Sequence, residues 1–250
     1  MQIYHYKHSC IKKENSLIDA LTLDIRKKHA IAFVGGGGKS SIIHQIAKEL
    51  SCLGKKCIVT TTTHIYQPPL HVVLKEDLAE VRFELEKNNT ITVGTPYRNG
   101  KLRSVSDDFL QQLPPLCDVL LIEADGSKHF PIKAPAMHEP VIPDFTTLAI
   151  GVAGLDCLNK PIKEVSHRPE LLATLLNKQT IDILCPEDVS FVLESTNGQK
   201  KGVHCGYQMI INKADTKELF SKALLIASCL STKECLITSL RDSSSSVFTR

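Results

Sequence analysis

Short runs of apolar residues alternate along this chain with segments whose apolar side chains recur at helical spacing. The runs HAIAFV (29–34) and DVLLIEA (118–124) are mostly apolar, which is typical of strands that a parallel sheet buries on both faces. Residues 39–53 instead repeat apolar side chains every three or four positions, which predicts a helix with one buried face. The residues on that face are Ile42, Ile43, Ile46, Ala47 and Leu50.

Strands and helices of this kind continue to residue 238. Further strands are predicted at 56–62, 90–94, 146–152, 207–211 and 235–238, and a tight turn is predicted at Asn99–Gly100. Further helices are predicted at 75–88, 169–177, 186–195 and near 216–230. This order favours an α/β fold, with an open parallel sheet, helices on both faces and ligands at the carboxyl ends of the strands.

A run of glycines joins the first of these strands to the helix at 39–53. Glycines let backbone N–H groups turn toward an anion, and a helix start adds donors and partial positive charge. A lysine there reaches the outer phosphates of a nucleotide, and a serine is a ligand for Mg²⁺. We therefore predict a phosphate-binding P-loop, with a flexible glycine turn as the alternative. The predicted nucleotide ligands are Gly35, Gly36, Gly37, Gly38, Lys39, Ser40 and Ser41.

The glycine run departs from the usual P-loop pattern G-x-x-x-x-G-K-[ST], whose first glycine is replaced by Phe33. The spacing G-G-x-G-K-[ST] resembles the deviant P-loop of a branch that includes metal-insertase GTPases and partition ATPases. That branch carries an additional lysine just before the two glycines, where this chain has Val34. We therefore expect a P-loop NTPase-like fold, without a signature lysine donated across a dimer.

The predicted nucleotide-binding domain spans residues 29–240, with an inserted loop at 125–145 that is rich in Pro, Lys and His. Residues 1–28 are predicted to be an N-terminal extension, and residues 241–250 a disordered tail. A length of 250 residues permits one large α/β domain, or a core domain with an insertion.

Composition narrows the classes of function. The formal net charge of +3 does not by itself indicate nucleic-acid binding. The nine cysteines are odd in number and contain no C-x-x-C, so neither a disulfide framework nor a structural zinc site is indicated. The N-terminus lacks the apolar core of a signal peptide, and no apolar run approaches membrane-spanning length. A cytoplasmic protein without membrane contact is expected.

An acidic residue, Glu123, ends the apolar strand LLIE (120–123), and Asp125 follows. In a P-loop fold such an acid lies beside the phosphates and holds Mg²⁺, usually through water. The strand end TTTTH (60–64) would lie nearby in a parallel sheet. The alternatives are solvated acids and threonines that only favour strand formation. The predicted metal ligands are Ser40, Thr61, Thr62 and Glu123, and the predicted catalytic residues are Lys39, Glu123 and Asp125.

The segment NKAD (212–215) directly follows an apolar strand and resembles the N-K-x-D motif with which GTPases read the base. The aspartate of that motif accepts two hydrogen bonds from guanine N1 and N2, which adenine does not offer, and the lysine lies over the base. Asn212, Lys213 and Asp215 are therefore predicted to bind GTP, with ATP as the alternative. The other interpretation is a polar helix start with Asp215 as N-cap.

The inserted loop and the segment SHRPE (166–170) carry candidate substrate residues. Prolines exclude a helix from the loop, and His129 and His138 are too far apart for a helical metal pair. The cationic side chains suit an anionic second substrate, whereas a solvated lid is the alternative. The candidates are Lys128, Lys133, His138, His167 and Arg168.

Together these motifs resemble one family, the selenium-dependent hydroxylase accessory proteins, which are associated with maturation of selenium-containing molybdenum hydroxylases. The resemblance covers residues from about 28 to 238, and its most specific part is the long middle stretch. The matching stretches are FVGGGGKSS, VTTTTHI, LIEADGSKHFPIKAPAMHEPVIP, VAGLDCLNKP, SHRPE and INKAD. The resemblance implies a cytosolic P-loop nucleotide-binding protein that acts near selenium and molybdenum cofactor chemistry, but it supplies no reaction.

Three functions are compatible with the sequence. The first is a Mg²⁺-dependent GTPase that assists hydroxylase maturation, which NKAD favours. The second is a small-molecule kinase or ligase that uses ATP or GTP, which the Lys- and His-rich loop favours. The third is a nucleotide-binding scaffold without turnover. The expected partners are a nucleotide and, from the resemblance, a molybdenum hydroxylase or a selenium donor, with a homodimer as a further option.

Overall fold

Strands and amphipathic helices alternate along residues 1–240, the part of the chain that the computed structural model describes. The predicted tail, 241–250, lies outside these described residues. The strands are β1 (Gln2–Lys7), β2 (Cys10–Glu14), β3 (His29–Gly35), β4 (Cys57–Thr61), β5 (His64–Tyr66), β6 (Val72–Val73), β7 (Thr90–Val93), β8 (Thr95–Tyr97), β9 (Lys101–Arg103), β10 (Val119–Glu123), β11 (Ile132–Lys133), β12 (Leu148–Gly154), β13 (Ser166–His167), β14 (Gly206–Asn212) and β15 (Glu234–Ser239). The α-helices are α1 (Leu17–Ala20), α2 (Lys39–Cys52), α3 (Leu78–Lys87), α4 (Asp107–Leu110), α5 (Ile162–Val165), α6 (Pro169–Leu176), α7 (Pro186–Glu194) and α8 (Lys217–Cys229).

One ten-stranded sheet organises the molecule, with strand order β2-β1-β15-β14-β12-β3-β10-β4-β7-β6. The strands from β15 to β6 run parallel to one another, whereas β1 is antiparallel to both of its neighbours, β15 and β2. The expectation of an α/β structure with a mostly parallel sheet is therefore confirmed.

Helices pack on both faces of this sheet, because successive side chains of a strand point to opposite sides. Ile31 and Phe33 of β3 pack with α1 and α2, whereas Ala30 packs with α3 and α4 on the other face. Farther along the sheet, Met209 and Ile211 of β14 pack with α7 and α8. Within residues 1–240, none of the helices combines the length and the apolar character that crossing a bilayer requires.

The strand register brings the carboxyl ends of the central strands together. Glu123, the last residue of β10, lies between Phe33 of β3 and Thr61 of β4. On the other side of β3, Gly154 at the end of β12 lies beside Asn212 at the end of β14. Most of the polar residues singled out in the sequence therefore gather at one edge of the sheet.

Residues 1–28, predicted as an extension, add strands to the same sheet. β1 pairs with β15, and β2 pairs with β1 at the outer edge. The turn between them has positive φ at His8 (46°) and Ser9 (67°) but contains neither Asn nor Gly. Only Ile3 and Tyr6 of β1 are buried. Neither the turn nor the hydrophobic pattern therefore resembles an ordinary hairpin signal.

The inserted loop, 125–145, lies against the sheet instead of projecting from it. Its short strand β11 pairs with β13 in the SHRPE segment, and Ile142 packs on Ala32 and Val34. A separate antiparallel sheet, β5-β9-β8, follows the end of β4. The turn predicted at Asn99–Gly100 connects its strands β8 and β9.

Candidate functional site

The glycine loop, Gly35–Gly38, turns tightly from the end of β3 into α2. Gly37 has a φ of 79°, and a Cβ atom added there would lie 2.1 Å from the backbone nitrogen of Gly154. No other residue type fits such a contact, since it combines left-handed backbone geometry with close approach of another strand. The loop is therefore a packed turn against β12, and not a loose glycine segment.

Much of the loop's hydrogen-bonding capacity is used within the protein. The N–H groups of Gly35, Gly36 and Gly37 donate, in that order, to the Asp125 carboxylate (2.9 Å), the Val152 carbonyl (2.9 Å) and the Phe130 carbonyl (3.1 Å). These bonds fix the shape of the loop. The N–H groups expected to bind an anion are therefore those at the start of α2, and not those of Gly35, Gly36 and Gly37.

The start of α2 is open toward a large cleft. Its N-cap, Gly38, provides no side-chain hydrogen bond to the first turn, and Lys39, Ser40 and Ser41 line a cleft of about 960 Å³. The first N–H groups of a helix have no partner within the helix, and the helix dipole places partial positive charge there. This helix start is consequently suited to bind phosphate.

Lys39 is buried at the base of this cleft. Its ammonium donates to the Gly35 carbonyl (2.6 Å) and lies 2.9 Å from Asp125 Oδ1. Within residues 1–240 that oxygen accepts no hydrogen bond of ordinary geometry, so charge holds the lysine there. Asp125, predicted to be a catalytic residue, is thus placed as the counter-ion of Lys39.

A line of alternating charges continues from Asp125 into the inserted loop. Lys133 lies 3.4 Å from Asp125 and 2.6 Å from Glu139, and Arg168 lies 2.5 Å from the same Glu139 oxygen. We call the five residues from Lys39 to Arg168 in this line the ion-pair chain. Burial opposes ionisation of Glu139, but hydrogen bonds from Arg168 and Lys133 outweigh it and lower the pKa of Glu139 to about 2.

Lys133 does not occupy the position expected of a substrate-binding residue. The side chain is fully buried between Asp125 and Glu139, and it also donates to the Gly126 carbonyl (2.9 Å). A lysine enclosed in this way neutralises carboxylates of the protein itself. Its role is to fold the inserted loop, and it does not present its charge to the cleft.

Replacing Lys133 with Ala should lower the free energy of unfolding by about 3 kcal/mol, because two buried carboxylates lose a shared partner. Asp125 keeps Lys39 and Glu139 keeps Arg168, so the loss stays below that of fully unpaired charges. Urea unfolding at neutral pH measures the difference between variant and wild type.

Two further variants control for this result. Lys160→Ala removes an exposed lysine and should leave stability nearly unchanged. The double variant Lys133→Met/Glu139→Gln replaces the ammonium with an apolar side chain and removes one carboxylate, so it should recover part of the loss. A loss below about 1 kcal/mol for Lys133→Ala would show that Lys133 does not hold the loop.

On the other side of Lys39, a hydroxyl and a carboxylate meet. Ser40 Oγ donates to Glu123 Oε2 over 2.7 Å, and both residues line the cleft. Burial raises the pKa of Glu123, while Lys39 and Ser40 favour its ionised form. Oxygen ligands of this kind suit Mg²⁺, which keeps several waters and is held by few protein groups. Among residues 1–240, no group of three or more His, Cys, Asp or Glu is arranged as a metal site.

The two threonines predicted as metal ligands bond to backbone carbonyls. Thr61 Oγ1 donates to the Glu123 carbonyl and Thr62 Oγ1 to the Val141 carbonyl, each over 2.8 Å. They therefore tie β4 to β10 and to the inserted loop. In this structure neither hydroxyl joins Ser40 at the carboxylate of Glu123.

The NKAD segment is connected directly to the glycine loop. Asn212 Nδ2 donates to the Gly37 carbonyl over 2.8 Å, and Thr238 donates to Asn212 Oδ1 over 2.8 Å. Lys213 lines the cleft and pairs with Asp156 at 2.7 Å. The predicted asparagine and lysine thus lie near the predicted phosphate site.

Asp215 is positioned differently from its two neighbours. Ser239 Oγ donates to its carboxylate over 2.7 Å, and in the described structure it is not part of the cleft lining. The N-cap of α8 is Thr216, whose hydroxyl accepts from the Leu219 N–H. The alternative interpretation of Asp215 as the N-cap is therefore wrong.

The other predicted substrate residues divide into two groups. Lys128, His167 and Arg168 line the cleft, whereas His138 is exposed and lies outside the lining of the described structure. His167 Nδ1 lies 3.2 Å from the Gly126 carbonyl, and burial, followed by the nearby Arg168 charge, lowers its pKa. The structure thus brings three of the five candidates to the cleft.

Several residues that line the cleft are not among the candidates predicted from the sequence. Glu139 completes the ion-pair chain, and the small sheet β5-β9-β8 forms part of the cleft lining with Tyr66, Tyr97, Arg98 and Lys101. Their strands are three residues long and come from separate segments. Only the Asn99–Gly100 turn pointed to a hairpin there.

Comparison with known proteins identifies the family of this chain. The family model described as "YqeC protein" matches residues 31–170, from β3 through the glycine loop and the inserted loop to SHRPE. An "Uncharacterized protein YqeC" of Escherichia coli (strain K12) is 31% identical over 207 residues, which cover 78% of this chain and 81% of that protein. The family match covers more than half of the chain, and on both grounds this chain belongs to the YqeC family.

Proposed function

We propose that this chain is a P-loop NTPase of the cytoplasm that binds GTP with Mg²⁺ and hydrolyses it. The observation that carries the proposal is the meeting of Lys39, Ser40 and Glu123 at an open helix start that faces a large cleft. A cation, a hydroxyl and a carboxylate at such a place are the groups that phosphoryl chemistry uses.

Each of these side chains has a distinct part in the proposed reaction. The first N–H groups of α2 bind the phosphates, and Lys39 leaves the Gly35 carbonyl to contact a phosphate oxygen. Asp125 keeps that ammonium charged and oriented. Ser40 and Glu123 would hold Mg²⁺, which neutralises charge that develops on the phosphates during transfer.

The guanine preference rests on the position of NKAD. Asn212 joins that segment to the glycine loop through the Gly37 carbonyl, which supports a base site beside the phosphate site. Lys213 would cover the base. Asp215 would read guanine, and it would exchange its contact with Ser239 for the base.

The proposed biological role rests on the resemblance of the quoted motifs to selenium-dependent hydroxylase accessory proteins. We propose that nucleotide hydrolysis assists the maturation of selenium-dependent molybdenum hydroxylases. A molybdenum hydroxylase or a selenium donor is the proposed partner.

Phosphoryl transfer to a small molecule is the second candidate function. The cleft continues from the start of α2 to Lys128 and Arg168, which leaves room for an acceptor. In that case the bond between the γ-phosphorus and its bridging oxygen breaks, an acceptor oxygen forms the new bond and loses its proton, and GDP leaves. A phosphorylated product, in place of free phosphate, distinguishes this candidate from hydrolysis.

Purified protein should release phosphate from GTP in a saturable reaction that requires Mg²⁺, because Ser40 and Glu123 provide oxygen ligands beside the phosphate site. Phosphate release is measured with Mg²⁺ and with a chelator. Ser40→Ala removes one of those ligands and should reduce turnover at limiting Mg²⁺. Ser228→Ala, on the surface of α8, is the matched control. Release that does not depend on Mg²⁺ would contradict the proposed site.

A further inference from the structure

The small sheet β5-β9-β8 forms a second wall of the cleft, which carries aromatic and cationic side chains. It carries Tyr66, which is 60% exposed although it is a large aromatic residue. Tyr66 and Tyr97 both line the cleft. Exposed aromatic surface inside a concave site is unusual unless a ligand covers it.

The rings of this wall are arranged with other flat or cationic groups. Tyr66 stacks with His129 at a centroid distance of 5.7 Å and an interplanar angle of 23°, and the Lys101 ammonium lies 4.9 Å from the Tyr66 centroid. The Arg98 guanidinium lies 5.2 Å from the ring of Tyr97. The wall therefore combines exposed aromatic surface with cations that lie over its two tyrosine rings.

Charge in this part of the cleft is positive. Its acidic lining residues are Glu123 and Glu139, and these are engaged by Ser40 and by Lys133 with Arg168. The pKa of His64 is lowered, first by burial and then by the nearby positive charges of Lys101, Arg98 and Arg103. The wall would consequently attract an anion.

The wall lies on the side of the glycine loop opposite NKAD. β14, which leads into NKAD, is separated from β3 by β12, whereas β4, which leads into β5, is separated from β3 by β10 on the other side. A nucleotide with its phosphates at α2 and its base at NKAD would therefore leave the small sheet uncovered.

We propose that this wall is a second ligand subsite, which binds a planar heteroaromatic molecule that carries phosphate. The ring stacks on Tyr66 and Tyr97, and Arg98, Lys101 and Lys128 hold the phosphate. The assignment rests on the proposed function in one respect: the nucleotide occupies the α2 end of the same cleft. The ligand is the group that the nucleotide-dependent step acts on or hands over.

Flavin mononucleotide is a suitable probe, because its ring is planar, its phosphate is anionic and its fluorescence is quenched by stacking on tyrosine. The full-length protein is titrated with the probe in the presence and absence of saturating GTP. We expect saturable quenching under both conditions, and about tenfold weaker binding to Tyr66→Ala. Riboflavin, which lacks the phosphate, should also bind about tenfold more weakly, since it loses charge-assisted hydrogen bonds.

Matched variants separate this inference from the proposed function. Phe83→Ala also removes an exposed ring that lies under a lysine, since Lys87 Nζ is 3.8 Å from the ring centroid. Phe83 lies on α3, outside the cleft lining of the described residues. This variant should therefore bind the probe as wild type does. Lys39→Ala should lose GTP and retain the probe. If GTP displaces the probe, or if Lys39→Ala abolishes probe binding, the small sheet is not a separate subsite. Absence of saturable quenching at millimolar probe also overturns the proposal, whereas unchanged GTP binding by Lys39→Ala overturns the nucleotide site alone.

Discussion

Lys39→Ala is expected to weaken GTP binding by about 10³-fold, which in a calorimetric titration amounts to its loss. The ammonium is the one charged side chain at the start of α2 that lies within the glycine loop, 2.6 Å from the Gly35 carbonyl. Two charge-assisted contacts to phosphate oxygens, at about 1.5–3 kcal/mol each, account for the expected change.

The control for this variant is Lys48→Ala, which removes an exposed lysine from the same helix. It should bind GTP as wild type does. Because Lys39 also neutralises the buried Asp125, urea unfolding of Lys39→Ala is measured in parallel. The Gly35 N–H and Lys133 remain next to Asp125, so the variant should stay folded. Wild-type affinity for GTP in a folded Lys39→Ala would rule out the proposed phosphate site.

Discrimination between GTP and ATP should reach about 10³-fold in wild type and fall to nearly none in Asp215→Asn. Guanine offers the carboxylate two hydrogen-bond donors, whereas adenine offers none that could replace its contact with Ser239. The amide of asparagine offers one donor and one acceptor, so it no longer matches the guanine edge. Competition titrations of the two nucleotides against a fluorescent analogue give both affinities.

Asp108→Asn serves as the control, since it makes the same chemical change at an exposed position in α4. It should keep the preference for GTP. If ATP and GTP bind equally well to wild type, Asp215 serves only to tie the strand end to Ser239. Hydrolysis at the glycine loop would then still be possible with either nucleotide.

Much of the fold could be predicted from the pattern of apolar residues. A buried parallel strand needs an apolar run, and a helix on a sheet needs one apolar face, so strands such as β3 and β10 and the helix α2 were identifiable locally. The β1–β2 pair was missed for the opposite reason. Its stability comes from hydrogen bonds to β15, more than 200 positions away in the sequence, and not from its own pattern.

For the site, parallel order alone brings Lys39, Ser40 and Glu123 together, because the strand ends of such a sheet meet at one edge. The position of Lys133 could not be predicted in the same way. From sequence alone, a lysine in a proline-rich loop is expected to be solvated. Its burial becomes evident only from the tertiary structure, which places two carboxylates beside it. The small sheet is also a product of tertiary structure, since its residues come from positions 64–66 and 95–103, which follow the paired strands β4 and β7.

The strand pair at the N-terminus also determines how copies of this protein can associate. An open sheet edge offers unpaired N–H and C=O groups to another chain, which invites aggregation or dimers with a continuous sheet. Here one edge is β2, which carries Lys12 and Lys13 next to each other and is almost entirely exposed, and the other is β6, only two residues long. Like charges would face each other if two β2 strands paired in antiparallel fashion. Any homodimer of this chain should therefore form through helices or loops, with each sheet ending at its own boundary.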